Sequence, residues 1–396
     1  MRWILPLLFL SVAAFARDVV IPPLIEPPAA SFEQMLGPAI DRSAAVEVLR
    51  VQVELDAVQT LAEAVPLHAS ARIEVEGAAA CRLRFTGVPA GTVLWLAGSG
   101  DDDFIRYEPA SDDAWGPTTH GSTVFVTADG PLGGAAIAAA ASVEKVSTLS
   151  SACLEDVVCP AASAAFDAVM DASRAIAYIR YVRDGRAQVC TGALVNDAAG
   201  SRTPYLLTAR HCIDSAETAA TVELIWDLRS SACGSNRMAA YSRAVGAKLL
   251  VASEATDVAL LQLPSLPPGR VFLGIDTRPL EAGTPVHRLS HASGLSQTFA
   301  SGVVDGGGRT CPRAPRSSFI YSRPTAGGIA TGSSGAPLLV RGLYVAGQLL
   351  GLCGADPANP CATFNDSVDG AIRESWPLLA PHLDPSPPIR KRRAAR

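Results

Sequence analysis

Ser334 stands between glycines in the run TGSSGAPLLV, residues 331–340, directly before a strand-like apolar stretch. A serine hydroxyl is a weak nucleophile until a base takes its proton, a third group orients that base, and backbone N–H groups await the oxyanion. The chain offers each helper. PYLLTARHC ends an apolar run at His211, and histidine is the side chain best suited to accept the proton and later return it. TDVALLQL sets Asp257 at the head of another run, where a carboxylate can fix the imidazole tautomer and stabilise the imidazolium. Gly332 and Ser334 can form a tight turn that aims their N–H groups at a carbonyl oxygen, glycine supplying dihedrals that other residues avoid. Together these groups would perform acyl transfer. Each alone has a plainer reading: a core histidine, a turn aspartate after Thr256, a flexible Gly-Ser-Ser-Gly loop. The chain order His, Asp, Ser across three apolar runs favours catalysis.

More of the chain carries the same pattern. SACLEDVVCP, CTGALVN, LLTARHC, TDVALLQL, TGSSGAPLL and VAGQLLG follow one another between about Cys153 and Asp384. In this ordered set the chain resembles the trypsin-like serine endopeptidases, and within them the secreted bacterial lysyl endopeptidases. The resemblance implies an all-β fold of two antiparallel six-stranded β-barrels, chymotrypsin-like, with a short carboxyl-terminal helix and the catalytic groups at the seam. It implies His211, Asp257 and Ser334 as the triad, Gly332 and Ser334 as the oxyanion hole, and no cofactor. It also implies the disulfides Cys153–Cys353, Cys159–Cys233 and Cys190–Cys212. Cys311 with Cys361 would make a fourth bridge and leave Cys81 alone. Ser333 stands where most trypsin-like enzymes carry an aspartate; the lysyl endopeptidases also have serine there, which implies activation without an amino-terminal salt bridge.

Specificity is less plainly written. The lysyl endopeptidases take the carboxylate of their lysine pocket from a loop after a GQLHGG-like strand. Here Ser367 falls at that acidic position, Asp366 is one residue off, and Leu350 replaces the histidine. Asp366 is the candidate pocket acid, its alternative being a loop acid that caps the final helix. Lysine or arginine before the scissile bond is the expected preference.

The elements that must position these groups fill only part of the 396 residues, a length that suggests two domains. MRWILPLLFLSVAAFA reads as an export signal, residues 1–16, cleaved after Ala16; the segment is too short to span a bilayer. Export allows disulfides, so the nine cysteines should mostly pair. With no CxxC pair at partner spacing, and with Pro285 and Gly294 breaking any helix that would align His287 and His291, no metal is expected. Residues 17–145 read as a proline-rich linker, to about 42, and a β-rich, sandwich-like pro-domain, the alternative being a permanently attached β domain. Its runs ARIEVEG, CRLRFTG, TVLWLAG and STVFVTADG alternate between turn residues. Lys145 is the expected activation cleavage point. The catalytic domain spans 146–384, where strand-length runs separated by turns suggest closed barrels. RKRRAAR, within the basic tail 385–396, reads as solvated and disordered. A net charge of −5 argues against nucleic-acid binding. The partners expected are protein or peptide substrates of a secreted monomer. The rivals are an inactive trypsin-like binding protein and a surface-adhesion module.

Overall fold

The computed structural model describes residues 18–28, 48–52, 57–101, 104–143, 153–159, 166–235, 237–359, 361–362 and 364–385. The export signal 1–16, Lys145 and residues 386–396 of the basic tail lie outside them.

The catalytic region is built from strands that carry apolar runs broken by turn residues. The first barrel comprises β1 (Ile176–Arg183), β2 (Arg186–Val195), β3 (Tyr205–Ala209), β4 (Glu223–Trp226), β5 (Ser242–Val245), β6 (Lys248–Ser253) and β7 (Val258–Gln262). Its antiparallel order is β5-β4-β1-β2-β3-β7-β6. Only Gly246 and Ala247 separate β5 from β6, so these act as one bent strand. Its first half pairs β4 and its second pairs β7, which returns the sheet on itself.

The second barrel comprises β8 (Pro285–Ser290), β9 (Thr298–Val304), β10 (Phe319–Ala326), β11 (Pro337–Val340), β12 (Tyr344–Cys353) and β13 (Asp366–Ala371). β8 pairs β9, β9 pairs β10, β10 pairs β13, β13 pairs β12, β12 pairs β11 and β11 returns to β8, a closed antiparallel ring of six. Arg341 and Gly342 turn β11 into β12 with φ of 49° and 84°. The helix α1 (Ile372–Leu383) follows and buries Ile372, Leu379 and Leu383 in the core that both barrels share, among Leu206, Leu260, Leu339 and Val345.

Ahead of the barrels lies a sandwich of two five-stranded sheets. Alternating residues of Ser70–Glu76, Ala80–Thr86, Val93–Gly98 and Thr123–Asp129 meet between them: Ile73, Val75, Leu83, Phe85, Leu94, Leu96, Val124 and Val126.

The expected linker over 17–42 is corrected for its first part. Val20–Ile21 pairs Gly274–Asp276, and Leu24–Ile25 pairs Val271–Phe272, both antiparallel. Prolines cut the segment into apolar runs, Val19–Ile21 and Leu24–Ile25, too short to show a strand period. The pairing comes from tertiary contact: Ile21 is 2% exposed within the shared core.

Candidate active site

Register brings the first two groups together. β3 runs into His211 and β7 starts just after Asp257, and Ala209 lies opposite Val258 in the β3–β7 ladder. The His211 Nδ1–H donates to Asp257 Oδ2 at 2.6 Å, and the His211 backbone N–H donates to Asp257 Oδ1 at 2.8 Å. Both carboxylate oxygens are thus spent on one residue. The aspartate side chain is 9% exposed and the imidazole 39%, so the acid is shielded while the base faces the cleft. Asp257 takes the left-handed φ of 56°, a conformation that costs about 1 kcal/mol or more outside glycine and needs support. That support comes from the second barrel. Gln348 Nε2 donates to the Thr256 carbonyl at 2.7 Å, and Ser375 of α1 donates to the Thr256 hydroxyl at 2.7 Å. Gly370 lies so close that a Cβ there would sit 1.8 Å from the same carbonyl.

The Ser334 loop joins β10 to β11 and leans on the first barrel. Thr191 of β2 donates its N–H to the Ser334 carbonyl and its hydroxyl to the Gly332 carbonyl, each at 2.8 Å. A Cβ on Gly335 (φ 80°) would meet Thr208 Oγ1 at 2.2 Å and Ala209 N at 2.8 Å. The chain beside Ser334 therefore touches the end of β3, next to His211. Gly332 has φ 91°. The N–H groups of Gly332 and Ser334 donate to no acceptor among the described residues, whereas those of Ser333 and Gly335 are taken by the Ala330 and Leu349 carbonyls. Ser333 is fully buried, its hydroxyl 3.0 Å from that of Ser290. A hydroxyl pair occupies the position that the resemblance marked as lacking an aspartate.

His291, which no sequence pattern singled out for catalysis, is also fully buried. Its backbone N–H donates to Thr191 Oγ1 at 3.0 Å and its ring Nδ1–H to the Leu295 carbonyl at 3.2 Å. Burial pushes the imidazole down from 6.5 to about 4, so it is neutral at neutral pH. Thr191, Gln348 and His291 are positioning residues that sequence reasoning passed over. The available signal was a polar residue inside an apolar strand, as in CTGALV and VAGQLL.

The disulfides need two corrections. Cys159–Cys233 and Cys190–Cys212 form as expected, the second bracketing His211. Cys353 pairs with Cys311 and not with Cys153, and Cys361 pairs with Cys153 and not with Cys311. Cys353 ends β12 inside a cluster with Phe319, Tyr321 and Val368, against which Cys311 packs, giving a Cα separation of 6.0 Å. Such proximity is made by the barrel and is absent from sequence spacing. Cys81 is buried and unpaired, as expected.

A small cavity opens beside the serine loop, lined by Gly328, Ile329, Leu352, Asn365 and Ser367 among others. Asp366 does not line it. Neighbours on a strand face opposite sides, so Ser367 points to the cavity and Asp366 away. Burial pushes the Asp366 carboxyl up, the nearby Asp305 charge adding to it. The deeper Asp369 is fully buried and tied to Arg288 at 2.8 Å.

Two six-stranded barrels with His211, Asp257 and the Ser334 loop along their seam define the trypsin-like fold class. Residues 148–365, more than half of the chain, match the family described as "Lysyl endopeptidase, C-terminal domain", and the chain belongs to that family. A lysyl endopeptidase of Pseudomonas aeruginosa is 27% identical over 275 residues, covering 62% of this chain and 58% of that protein. The chain thus matches less than two thirds of that curated relative. Among solved structures, the active form of the Rv3671c protease of M. tuberculosis is 18% identical, covering 62% of this chain and 92% of its own at a TM-score of 0.39. The HtrA-type protease AlgW with a tripeptide is 16% identical, covering 56% and 64%, at 0.40.

Proposed function

We propose that this protein is an exported serine endopeptidase that cleaves peptide bonds through an acyl-enzyme on Ser334. The observation that carries the reading is the Asp257–His211 hydrogen bond beside a serine loop whose Gly332 and Ser334 N–H groups are unspent. His211 Nε2 takes the Ser334 proton as Oγ attacks the carbonyl carbon, and the two N–H groups bind the resulting oxyanion. As the intermediate collapses, the peptide C–N bond breaks and His211 hands the proton to the leaving amine. Water then repeats the sequence on the ester and frees Ser334. Asp257 stays ionised throughout and holds the imidazole edge toward the serine. Four disulfides among the described residues support export, since such bonds persist in oxidising compartments. No helix among the described residues is long and apolar enough to cross a membrane.

Family membership favours lysine or arginine before the scissile bond, but the cavity supplies no unpaired carboxylate for either. Ser367 faces it, Asp366 faces away, and Asp369 is neutralised by Arg288. The side chain that fits best is uncharged. A fluorophosphonate probe and a mixed peptide library test both levels. Ser334→Ala must abolish labelling and cleavage, and retained peptidase activity in that variant refutes the mechanism. Cleavage confined to lysine or arginine overturns the cavity reading and leaves the mechanism standing.

A further inference from the structure

The segment that directly follows the expected signal cleavage point is bonded into the catalytic fold at both of its ends. Val19 exchanges hydrogen bonds with Thr277, its N–H reaching Thr277 Oγ1 at 2.7 Å and its carbonyl accepting from the Thr277 N–H at 2.9 Å. Asn196 Nδ2 donates to the Pro22 carbonyl at 2.9 Å, and Arg174 Nη2 to the Glu26 carbonyl at 2.8 Å. Arg373 of α1 pairs with Asp18 at 2.6 Å. The receiving strand is shaped for this guest. A Cβ on Gly274 would sit 2.5 Å from the Ile21 carbonyl oxygen and 2.9 Å from Pro23 N, so only glycine admits the segment. With Ile21 buried among residues of the shared core and Val19 and Leu24 packed against it, this is strand addition in which affinity comes from main-chain bonds and apolar anchors.

The sandwich is bonded to the first barrel through a buried charge. Glu223 of β4 is fully buried, and the Thr118 N–H of the sandwich donates to its Oε1 at 2.8 Å while the Thr118 hydroxyl donates to Oε2. Arg82 of the sandwich lies 3.9 Å from Oε2 and donates to the Thr221 carbonyl at 2.9 Å; Arg243 of β5 lies 3.7 Å from Oε1. Burial alone would push this carboxyl up, but Arg82, Arg243, Arg180 and the Thr118 hydroxyl hold it below the usual carboxylate range. Around this polar centre, Val245 packs on the sandwich core, and Val182 and Ala187 pack on the cluster of Ala80, Trp115 and Ala139. These contacts use the side of the first barrel formed by residues 182–187, 220–223 and 243–245. His211, Asp257 and the Ser334 loop take no part in them.

We propose that residues 18–28 and the sandwich are a standing part of the folded protein, so that a chain cut between the sandwich and Cys153 persists as a two-chain assembly with its cleft uncovered. A detachable plug would sit on the seam and bury surface that the mature protein can expose to water. Losing the sandwich would instead strip the ionised Glu223 of its Thr118 and Arg82 partners, and losing residues 18–28 would open the shared core at Ile21.

The test is independent of catalysis and uses the full chain in a Ser334→Ala background. One version carries a site for a site-specific protease within residues 144–152, a second carries it within 29–47. After complete cutting, native gel filtration with intact-mass analysis should show both pieces eluting together at the size of the uncut chain, for either site. Release of the sandwich, or of the peptide bearing 18–28, from a catalytic fragment that keeps its circular dichroism overturns the proposal. Two variants chosen on the guest side leave the barrels untouched. Thr118→Val should raise the dissociation constant of the sandwich piece, and Ile21→Asp that of the 18–28 piece, each by about tenfold or more. Unchanged constants in both count against the assigned contacts.

Discussion

Acid should loosen this protein through His291. The ring is fully buried, and the only hydrogen bond of its side chain among the described residues is Nδ1–H to the Leu295 carbonyl; the Tyr178 ring lies 5.4 Å away. A proton added to Nε2 would leave a buried cation without a partner, which is why the folded imidazole titrates at about 4 against 6.5 in the open chain. Because the unfolded state binds this proton more readily, the contribution is complete above pH 6.5 and is lost as pH falls toward 4. The gap corresponds to about 3 kcal/mol, at roughly 1.4 kcal/mol per pH unit. Asparagine at this position keeps a donor for Leu295 and cannot be protonated. Urea unfolding in a Ser334→Ala background, followed by tryptophan fluorescence at pH 7, 6, 5 and 4, should show wild type losing about 3 kcal/mol more than His291→Asn over this range. An NMR titration of the ring supplies the direct value. Parallel pH profiles, or a ring that titrates near 6.5, would refute the reasoning. Since the His291 backbone holds Thr191, and Thr191 holds the Ser334 loop, fluorophosphonate labelling of the active chain should fade over the same pH window.

Further substitutions probe the remaining geometry. Asp257→Asn should leave the fold intact and lower kcat by about 10⁴-fold through the wrong imidazole tautomer, read by steady-state peptide cleavage. Gly335→Ala forces a Cβ to 2.2 Å from Thr208 Oγ1 and 2.4 Å from the Thr191 carbonyl, so it should abolish fluorophosphonate labelling; a normally labelled variant would contradict the packing of this loop. Replacing Cys190 and Cys212 by alanine opens a loop with a sequence separation of 22, and should cost about 3 kcal/mol in denaturant unfolding. Ser367→Asp adds the carboxylate that the cavity lacks, and should raise kcat/KM for lysine peptides by about tenfold or more, one charge-assisted bond being worth about 1.5–3 kcal/mol.

The candidate catalytic residues and the strands of the sandwich were legible in the chain itself. Ser334, His211 and Asp257 sit at the edges of apolar runs, where a strand emerges from the core and a polar side chain can face a cleft. The Cys190–Cys212 bridge came from the family resemblance and not from spacing. The alternation of ARIEVEG and CRLRFTG was enough for the sandwich, since period two is a local property. What depended on distant contact was not legible. Only barrel closure sets Cys353 beside Cys311, turns Ser367 toward the cavity in place of Asp366, and lays the Gln348 amide on Thr256 to hold the left-handed Asp257. Apolar runs of three and two residues, Val19–Ile21 and Leu24–Ile25, say nothing of a strand until Gly274 leaves room for them. Sequence period fixes which way a side chain faces along its own strand; which neighbour it meets is decided when the strands register against one another.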